Sequence, residues 1–306
     1  MTVGDLRRII IVGAGTMGQQ IGLQCAMHGY DVALVDVKPD ALDTAAVWQR
    51  RYADGIVKAG GLTPEAADAT LARITRTTDA VAAARDADLL IEAVPENPAL
   101  KGQVFAEYNA LCPPRTIFTT NTSTLIPSMF AAATGRPAQF AALHFHLPTW
   151  VSNVVDIMPH PGTDPAVVSL LTDFARRIGQ IPIVLHKESH NYVFNAMLSA
   201  LNSAALTLAA KDVASVADVD RAWMGVMKAS VGPFGIMDAI GLDTVHEIIA
   251  YWAGALNDPQ LQRNAAFVKA YLDQGRLGVK AGAGFYTYPR PAYQQPGFVE
   301  GIAEDE

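Results

Sequence analysis

A β-branched run that breaks directly into three spaced glycines leaves few folds open to a chain. Residues 8–18 read RIIIVGAGTMG, with Gly13, Gly15 and Gly18 in the pattern Gly-x-Gly-x-x-Gly. Gly13 permits the tight turn from strand to helix, Gly15 lets a pyrophosphate approach the backbone, and Gly18 lets helix and strand pack closely. The helix opening at Thr16 and Met17 then directs free N–H groups and its positive dipole end at an anion. A second apolar run, DVALV at 31–35, ends in Asp36. That is the expected spacing for a carboxylate that accepts hydrogen bonds from an adenosine ribose. Such a carboxylate repels a 2′-phosphate, so NAD(H) is expected over NADP(H), with Lys38 the one nearby opposing charge. Gly13, Gly15, Thr16, Met17, Gly18 and Asp36 are the expected cofactor contacts.

Strand-like and helix-like segments alternate as far as about His186. Apolar runs at 89–94, 115–120, 139–144, 154–158 and 181–185 read as strands. Helical patterns cover 39–59, 64–72, 99–111 and 164–178. This alternation predicts a doubly wound, mostly parallel sheet. Beyond Lys187 only helical patterns remain, chiefly 192–210, 216–230, 242–256 and 264–274, with Gly225 and Pro233 as punctuation. The expected fold is α/β: an N-terminal Rossmann-type doubly wound sheet over residues 1–187, followed by an all-α C-terminal domain over 188–306. The tail from Pro289, rich in proline, glycine and acid, is expected to be loosely ordered.

Composition narrows the partners. Lys and Arg total 23 against 30 Asp and Glu, a net charge of −7. With no basic stripe, no nucleic-acid ligand is expected. The two cysteines, Cys25 and Cys112, have no metal-ligand spacing and form no disulfide framework, so no metal is expected and a reducing cytoplasmic compartment is. Residues 192–210 carry no charge, a length that invites a membrane reading. Asn195, Ser199 and Asn202 fall on one helical face, however, so a buried helix, at a subunit interface, is expected instead of a membrane span.

Several short motifs follow the glycine turn in order: EAVPEN at 92–97, NTST at 121–124, His144-Phe145 within LHFHLP, NVVDIMPHP at 153–161, YVFNAML at 192–198, GPFGIMDAIGLD at 232–243 and GAGFYTY at 282–288. In this order they resemble the 3-hydroxyacyl-CoA dehydrogenase family, from about Arg7 to Tyr288. The resemblance implies interconversion of a 3-hydroxyacyl substrate and its 3-keto form with NAD, on a homodimer joined through the helical domain. By position, His144 is the general base, apt because its unperturbed pKa lies near operating pH. Asp156 falls where the family usually has an orienting glutamate, a carboxylate that fixes the imidazole tautomer and stabilises the imidazolium. Ser123 and Asn195 match polar groups near the substrate oxygen. Glu96 and Lys101, with Asn121 and Ser123 of NTST, match the cofactor side; Lys280 is a weaker candidate there. Plainer roles compete: Ser123 could cap a helix from Leu125, Asn195 could be a buried amide, and Lys101 could be a solvated lysine opening a helix.

The chain also departs from the family pattern. Where His-Phe-Phe-Asn-Pro is usual it reads His144-Phe145-His146-Leu147-Pro148, followed closely by Trp150. Tyr52 and Ala59 replace a serine and a lysine expected on the hairpin that contacts coenzyme A, although Arg50, Arg51 and Lys58 lie nearby, and Ala196 replaces a basic residue. These changes leave the hydride chemistry but put the thioester carrier in question. Two alternatives stay open: a dehydrogenase of a free 3-hydroxy acid, as in the gulonate, carnitine and λ-crystallin-like branch, and a non-catalytic NAD-binding protein.

Overall fold

A computed structural model describes residues 2–302. The chain divides into two compact units, Met1–Asn195 and Ala196–Glu306. In the first, β1 (Arg8–Val12) runs into α1 (Thr16–Met27), then β2 (Asp31–Val35), α2 (Pro39–Lys58), α3 (Pro64–Ala72), β3 (Ile74–Thr77), α4 (Ala80–Ala84) and β4 (Leu89–Glu92). There follow α5 (Pro98–Leu111), β5 (Ile117–Thr120), β6 (Phe140–Phe145), β7 (Val154–Pro159), α6 (Pro165–Arg177) and β8 (Ile181–Val184). The eight strands form one sheet in the order β3-β2-β1-β4-β5-β6-β7-β8. Every pairing is parallel except β6 with β7. The short ITRT strand β3 and the alanine helix α4 escaped the periodicity because neither is long enough to complete an apolar stripe.

Local chemistry sets the helix starts. Prolines occupy the first turn of α2, α3, α5 and α6, where a missing N–H costs nothing. Asn97 and Asp164 accept from the backbone at Leu100 and Ala166 and cap α5 and α6. One face of the sheet buries Ile9, Ile11 and Leu34 against α1, α2 and α6; the other buries Phe105, Phe118, Phe130 and Phe140 as a ring cluster. The edge strand β8 carries Pro182 in its middle, with Ile181 and Val184 exposed.

Two of the three glycines are sterically required. Gly13 sits at φ +109°, a conformation that L side chains rarely adopt. A Cβ at Gly18 would overlap the carbonyl oxygen of Gly13, so helix and strand approach as closely as the sequence pattern implies. Around Gly15 there is open space.

The second unit is helical: α7 (Phe194–Ala210, which starts just before the unit boundary), α8 (Val216–Met227), α9 (Pro233–Ile240), α10 (Leu242–Leu256) and α11 (Pro259–Leu272). Asp238 accepts from the backbone N–H of Phe285 and Tyr286 and from the Tyr288 hydroxyl, at 2.7–2.9 Å. Asp220 accepts from Phe234, Gly235 and the Tyr286 hydroxyl, and its carboxyl is pushed up to about 6 by burial. These two buried aspartates tie GAGFYTY to the helices. Two sequence expectations need correction. Pro233 does not merely punctuate the helical region but opens a short helix, α9, that the sequence pattern did not include, since a proline is well placed at a first helical turn. The tail is anchored as far as Phe298, which is buried and whose carbonyl accepts from Arg221, whereas residues 299–302 are exposed and 303–306 lie outside the described residues. Within this chain α7 buries only Ala205 and Leu206, while Phe194, Met197 and Leu208 are exposed, so its apolar length is not covered by its own unit. Among the described residues no helix is long and apolar enough to cross a membrane.

Candidate active site

The glycine turn opens on a cleft of about 1240 Å³ in the first unit, lined by Gly13, Gly15, Thr16, Met17 and Asp36 among others. Gly15 precedes α1 and supplies no side-chain cap, so the first-turn N–H groups of the helix have no partner within it. Asp36 braces the turn itself, accepting from Ala14 N and Lys38 N at 2.9 Å each. A diphosphate at the helix start and a ribose beside Asp36 fit these groups. His144 and Ser123 are not part of the lining of this cleft.

Behind the turn lies a buried charge cluster. Lys101 is 1% exposed, contrary to the solvated role open to it in the sequence. Its ammonium donates to Glu92 Oε1 at 2.8 Å and Val94 O at 3.2 Å and pairs with Glu96 Oε2 at 3.2 Å. Three donors thus meet three acceptors. Glu92 also accepts from the Thr120 hydroxyl and Val94 N. Glu96 Oε1 gathers the NTST loop, accepting from the Thr122 hydroxyl, Ser123 N, and both Thr124 N and its hydroxyl. Burial works to raise the Glu96 carboxyl, but Lys101 and the loop donors outweigh it and hold it below the usual carboxylate range. Glu92 and Thr122 escaped the sequence analysis; the only signal was a glutamate closing an otherwise apolar strand.

This arrangement fixes Ser123. Its backbone is held by Glu96, and no helix starts at Leu125, so the capping role falls away. Thr122 instead accepts from Leu125 N. The Ser123 side chain is exposed and makes no hydrogen bond among the described residues. Asn121 is occupied as a brace: Oδ1 accepts from Phe145 N, and its own N–H donates to Glu92 O. Asn195 lies in the first turn of α7, half-buried, without a side-chain hydrogen bond among the described residues. Lys280, in the second unit, pairs with Asp243.

The antiparallel pairing of β6 and β7 sets His144 directly opposite Asp156. Directly opposed residues share a face of the sheet. His144 Nδ1 lies 3.0 Å from Asp156 Oδ2, with both side chains buried. A carboxylate can only accept, so Nδ1 carries the proton and Nε2 is left as the base. Burial, ahead of the opposing pull of Asp156, holds His144 below the usual imidazole range. Asp156 stays low because His144 and His146 hydrogen bonds outweigh its burial. Tyr192, not anticipated from sequence, stacks on His144 with ring centres 4.8 Å apart. Its pKa is raised by burial, and its hydroxyl donates to Leu125 O. Atoms of His144, His146 and Asp156 cluster within 4.8 Å, a spacing a cation could bridge. Both ring nitrogens, however, are aimed at one carboxylate oxygen at hydrogen-bond distance, which accounts for the cluster without a metal.

A ladder of aromatic rings stands beside the cleft. Trp48 and Tyr52, which both line it, stack at 5.7 Å, and Tyr52 stacks on Trp150 at 5.3 Å. Arg51 lies over Trp48.

The chain is similar to known proteins along most of its length. Residues 8–189 match the model of the 3-hydroxyacyl-CoA dehydrogenase NAD binding domain, and residues 192–288 match that of the C-terminal domain. A probable 3-hydroxyacyl-CoA dehydrogenase of Caenorhabditis elegans is 31% identical over 94% of this chain and 97% of its own. Among solved structures, a diketoreductase described as acting on dicarbonyl compounds is 38% identical with a TM-score of 0.86, covering 92% of this chain and 99% of its own. The (S)-3-hydroxybutyryl-CoA dehydrogenase of Ralstonia eutropha is 28% identical with a TM-score of 0.84, covering 93% and 100%.

The buried ion pair yields a stability test. Lys101→Met strands Glu92 without a counter-charge and is expected to cost about 3–5 kcal/mol. Urea unfolding followed by circular dichroism checks it, and an unchanged midpoint would contradict the pairing.

Proposed function

This chain belongs to the 3-hydroxyacyl-CoA dehydrogenase family, and we propose that its first unit carries out that chemistry with the residues assembled around His144. The activity is that of an NAD-dependent oxidoreductase that interconverts a 3-hydroxyacyl substrate and its 3-keto form. One observation carries the assignment of roles: a buried imidazole oriented by a buried carboxylate across a strand pair. NAD, when bound, accepts or returns the hydride. His144 Nε2 takes the hydroxyl proton during oxidation and returns it during reduction. Asp156 holds the tautomer and stabilises the imidazolium. Ser123, its hydroxyl unengaged and its backbone locked by Glu96, and Asn195 are assigned to the substrate oxygen. Gly13, Gly15, Thr16, Met17, Gly18 and Asp36 hold the dinucleotide. Glu96, Lys101 and Asn121 act on the cofactor side by shaping the wall between the turn and the NTST loop.

A second reading of the substrate is favoured by a specific observation. Trp48, Tyr52 and Trp150 form an aromatic wall at the helix where a carrier phosphate would need cations, and Arg50 is engaged with Asp68. The 38% identical diketoreductase is described as working on dicarbonyl compounds. A free 3-hydroxy acid or a dicarbonyl compound is therefore the alternative to a coenzyme A thioester. Retention of the His144–Asp156 pair argues against a purely NAD-binding role.

The second unit exposes Val226, Met227, Tyr251 and Leu256, at 58–80%. Isolated exposed apolar residues are ordinary, but this many on one small helical unit supports self-association as a homodimer. The buried, unpaired Cys25 and Cys112 support a reducing, cytoplasmic setting.

Three outcomes are expected. His144→Ala lowers kcat by about 10²–10⁴-fold; because burial holds the wild-type imidazole low, oxidation by the wild type persists below about pH 6.5 and falls only as Nε2 becomes protonated. An acid limb well above that value would contradict the assignment. Matched panels of 3-keto thioesters, free 3-keto acids and diketones, followed by NADH absorbance, rank the two substrate readings by kcat/KM. Sedimentation at micromolar concentration is expected to give a dimer of the 32.6 kDa chain, and a monomer would refute the helical interface.

A further inference from the structure

The residue two positions beyond His144 does something the sequence left open. His146 is the first residue beyond β6, and its ring turns to the same carboxylate that His144 faces. Its Nε2 lies 3.1 Å from Asp156 Oδ2, the same oxygen that faces His144 at 3.0 Å. The rings meet edge to face with centres 4.7 Å apart. The other carboxylate oxygen, Asp156 Oδ1, is buried and has no hydrogen-bond partner among the described residues. His146 is itself buttressed, edge to face, by Phe194 at 5.4 Å. One oxygen therefore serves two imidazoles while its twin serves none.

That asymmetry has two physical consequences. A terminal aspartate torsion is soft and roughly two-fold, so the carboxylate needs a second contact to keep one chosen oxygen toward His144. His146 is placed to supply it. Two donors on one oxygen also divide its electron density, which weakens its stabilisation of a charged His144. From this convergence we propose that His146 is a positioning residue for the dehydrogenase reaction: its Nε2–H fixes the Asp156 carboxylate and keeps His144 less basic than a simple histidine–carboxylate pair. The inference rests on the catalytic reading of His144.

The ionisable groups facing His144 come from four places. They are Asp156 on β7, His146 beyond the end of β6, Glu96 from the loop after β4 and Tyr192 from the segment before α7. Asp156 and Glu96 favour the charged ring, and His146 alone among them disfavours it by its charge. Removing His146 thus raises the basicity of His144 by both routes, through the freed lone pair and through the lost positive partner. In the oxidation direction the acid limb of the pH profile moves to higher pH. A merely structural loss lowers the rate at every pH without displacing that limb.

The experiment measures kcat and KM for oxidation across pH with NAD⁺ and the best substrate of the panel. Wild type, His146→Phe, His146→Gln and His144→Ala are compared. His146→Phe keeps a ring against Phe194 but has no donor; its acid limb is expected to rise by about half to one pH unit and its kcat to fall by about tenfold, with KM for NAD⁺ unchanged. His146→Gln keeps an N–H donor but carries no charge; it is expected to bring the limb back only part of the way to wild type and to restore most of kcat. His146→Leu replaces the phenyl variant if the latter does not fold, and an NMR titration of the His144 ring reads the same displacement without turnover. A limb that stays in place in the donor-free variant, or moves equally with glutamine, overturns the role of His146. If His144→Ala is as active as wild type, the catalytic reading itself falls; a dead His144→Ala with an unmoved His146→Phe limb sinks only this inference.

Discussion

The arrangement depends on a single reversal of strand direction. Seven strand pairings could have been parallel, and the one that is not, β6 with β7, is the one that brings His144 face to face with Asp156. In an antiparallel ladder the opposed residues are in direct register and their side chains nearly touch. A slip of one residue would send every side chain of β7 to the other face, placing Val155 or Ile157 where the carboxylate stands. Burial of Leu143, Phe145, Val155 and Ile157 in the core makes such a slip costly. The hydrophobic core and the pairing of base with carboxylate are thus enforced by the same alternation.

A second layer of order comes from charge. Glu92 ends β4, Lys101 stands one turn into α5, and Glu96 lies between them. An ammonium this deeply buried is tolerable only because all of its donors are met. The consequence is positional: Glu96, held by Lys101 on one oxygen, uses the other to gather the backbone and hydroxyls from Thr122 to Thr124. The loop that carries Ser123 is therefore shaped by a carboxylate, leaving the serine hydroxyl uncommitted. Burial around His144 acts in the same spirit, keeping its ring neutral and its outer nitrogen available.

Much of this was legible from sequence, for identifiable reasons. The glycine spacing and the strand–helix alternation specify local geometry directly, so the first unit's sheet and its cleft could be anticipated. His144 and Asp156 were legible only through motif order, since twelve residues of separation say nothing of register until the connection between the strands is known. Lys101 was matched to the cofactor side by motif, with a solvated lysine as the plainer alternative; its burial was not legible because it depends on two glutamates meeting it from elsewhere. Tyr192 and His146 were hidden for a similar reason: their importance lies in what they lean on. The packed tail was misjudged because proline and glycine describe the backbone's freedom, whereas Phe298 and Arg221 decide where it settles.

The outermost strand carries an implication for assembly. Pro182 leaves a gap in the row of amide donors along β8, and a broken row makes a poor template for another chain's strand. Growth of the sheet across that margin is discouraged even though Ile181 and Val184 are bare there. A strand laid against that margin would find no amide donor at Pro182, so the sheet is built to stop at β8.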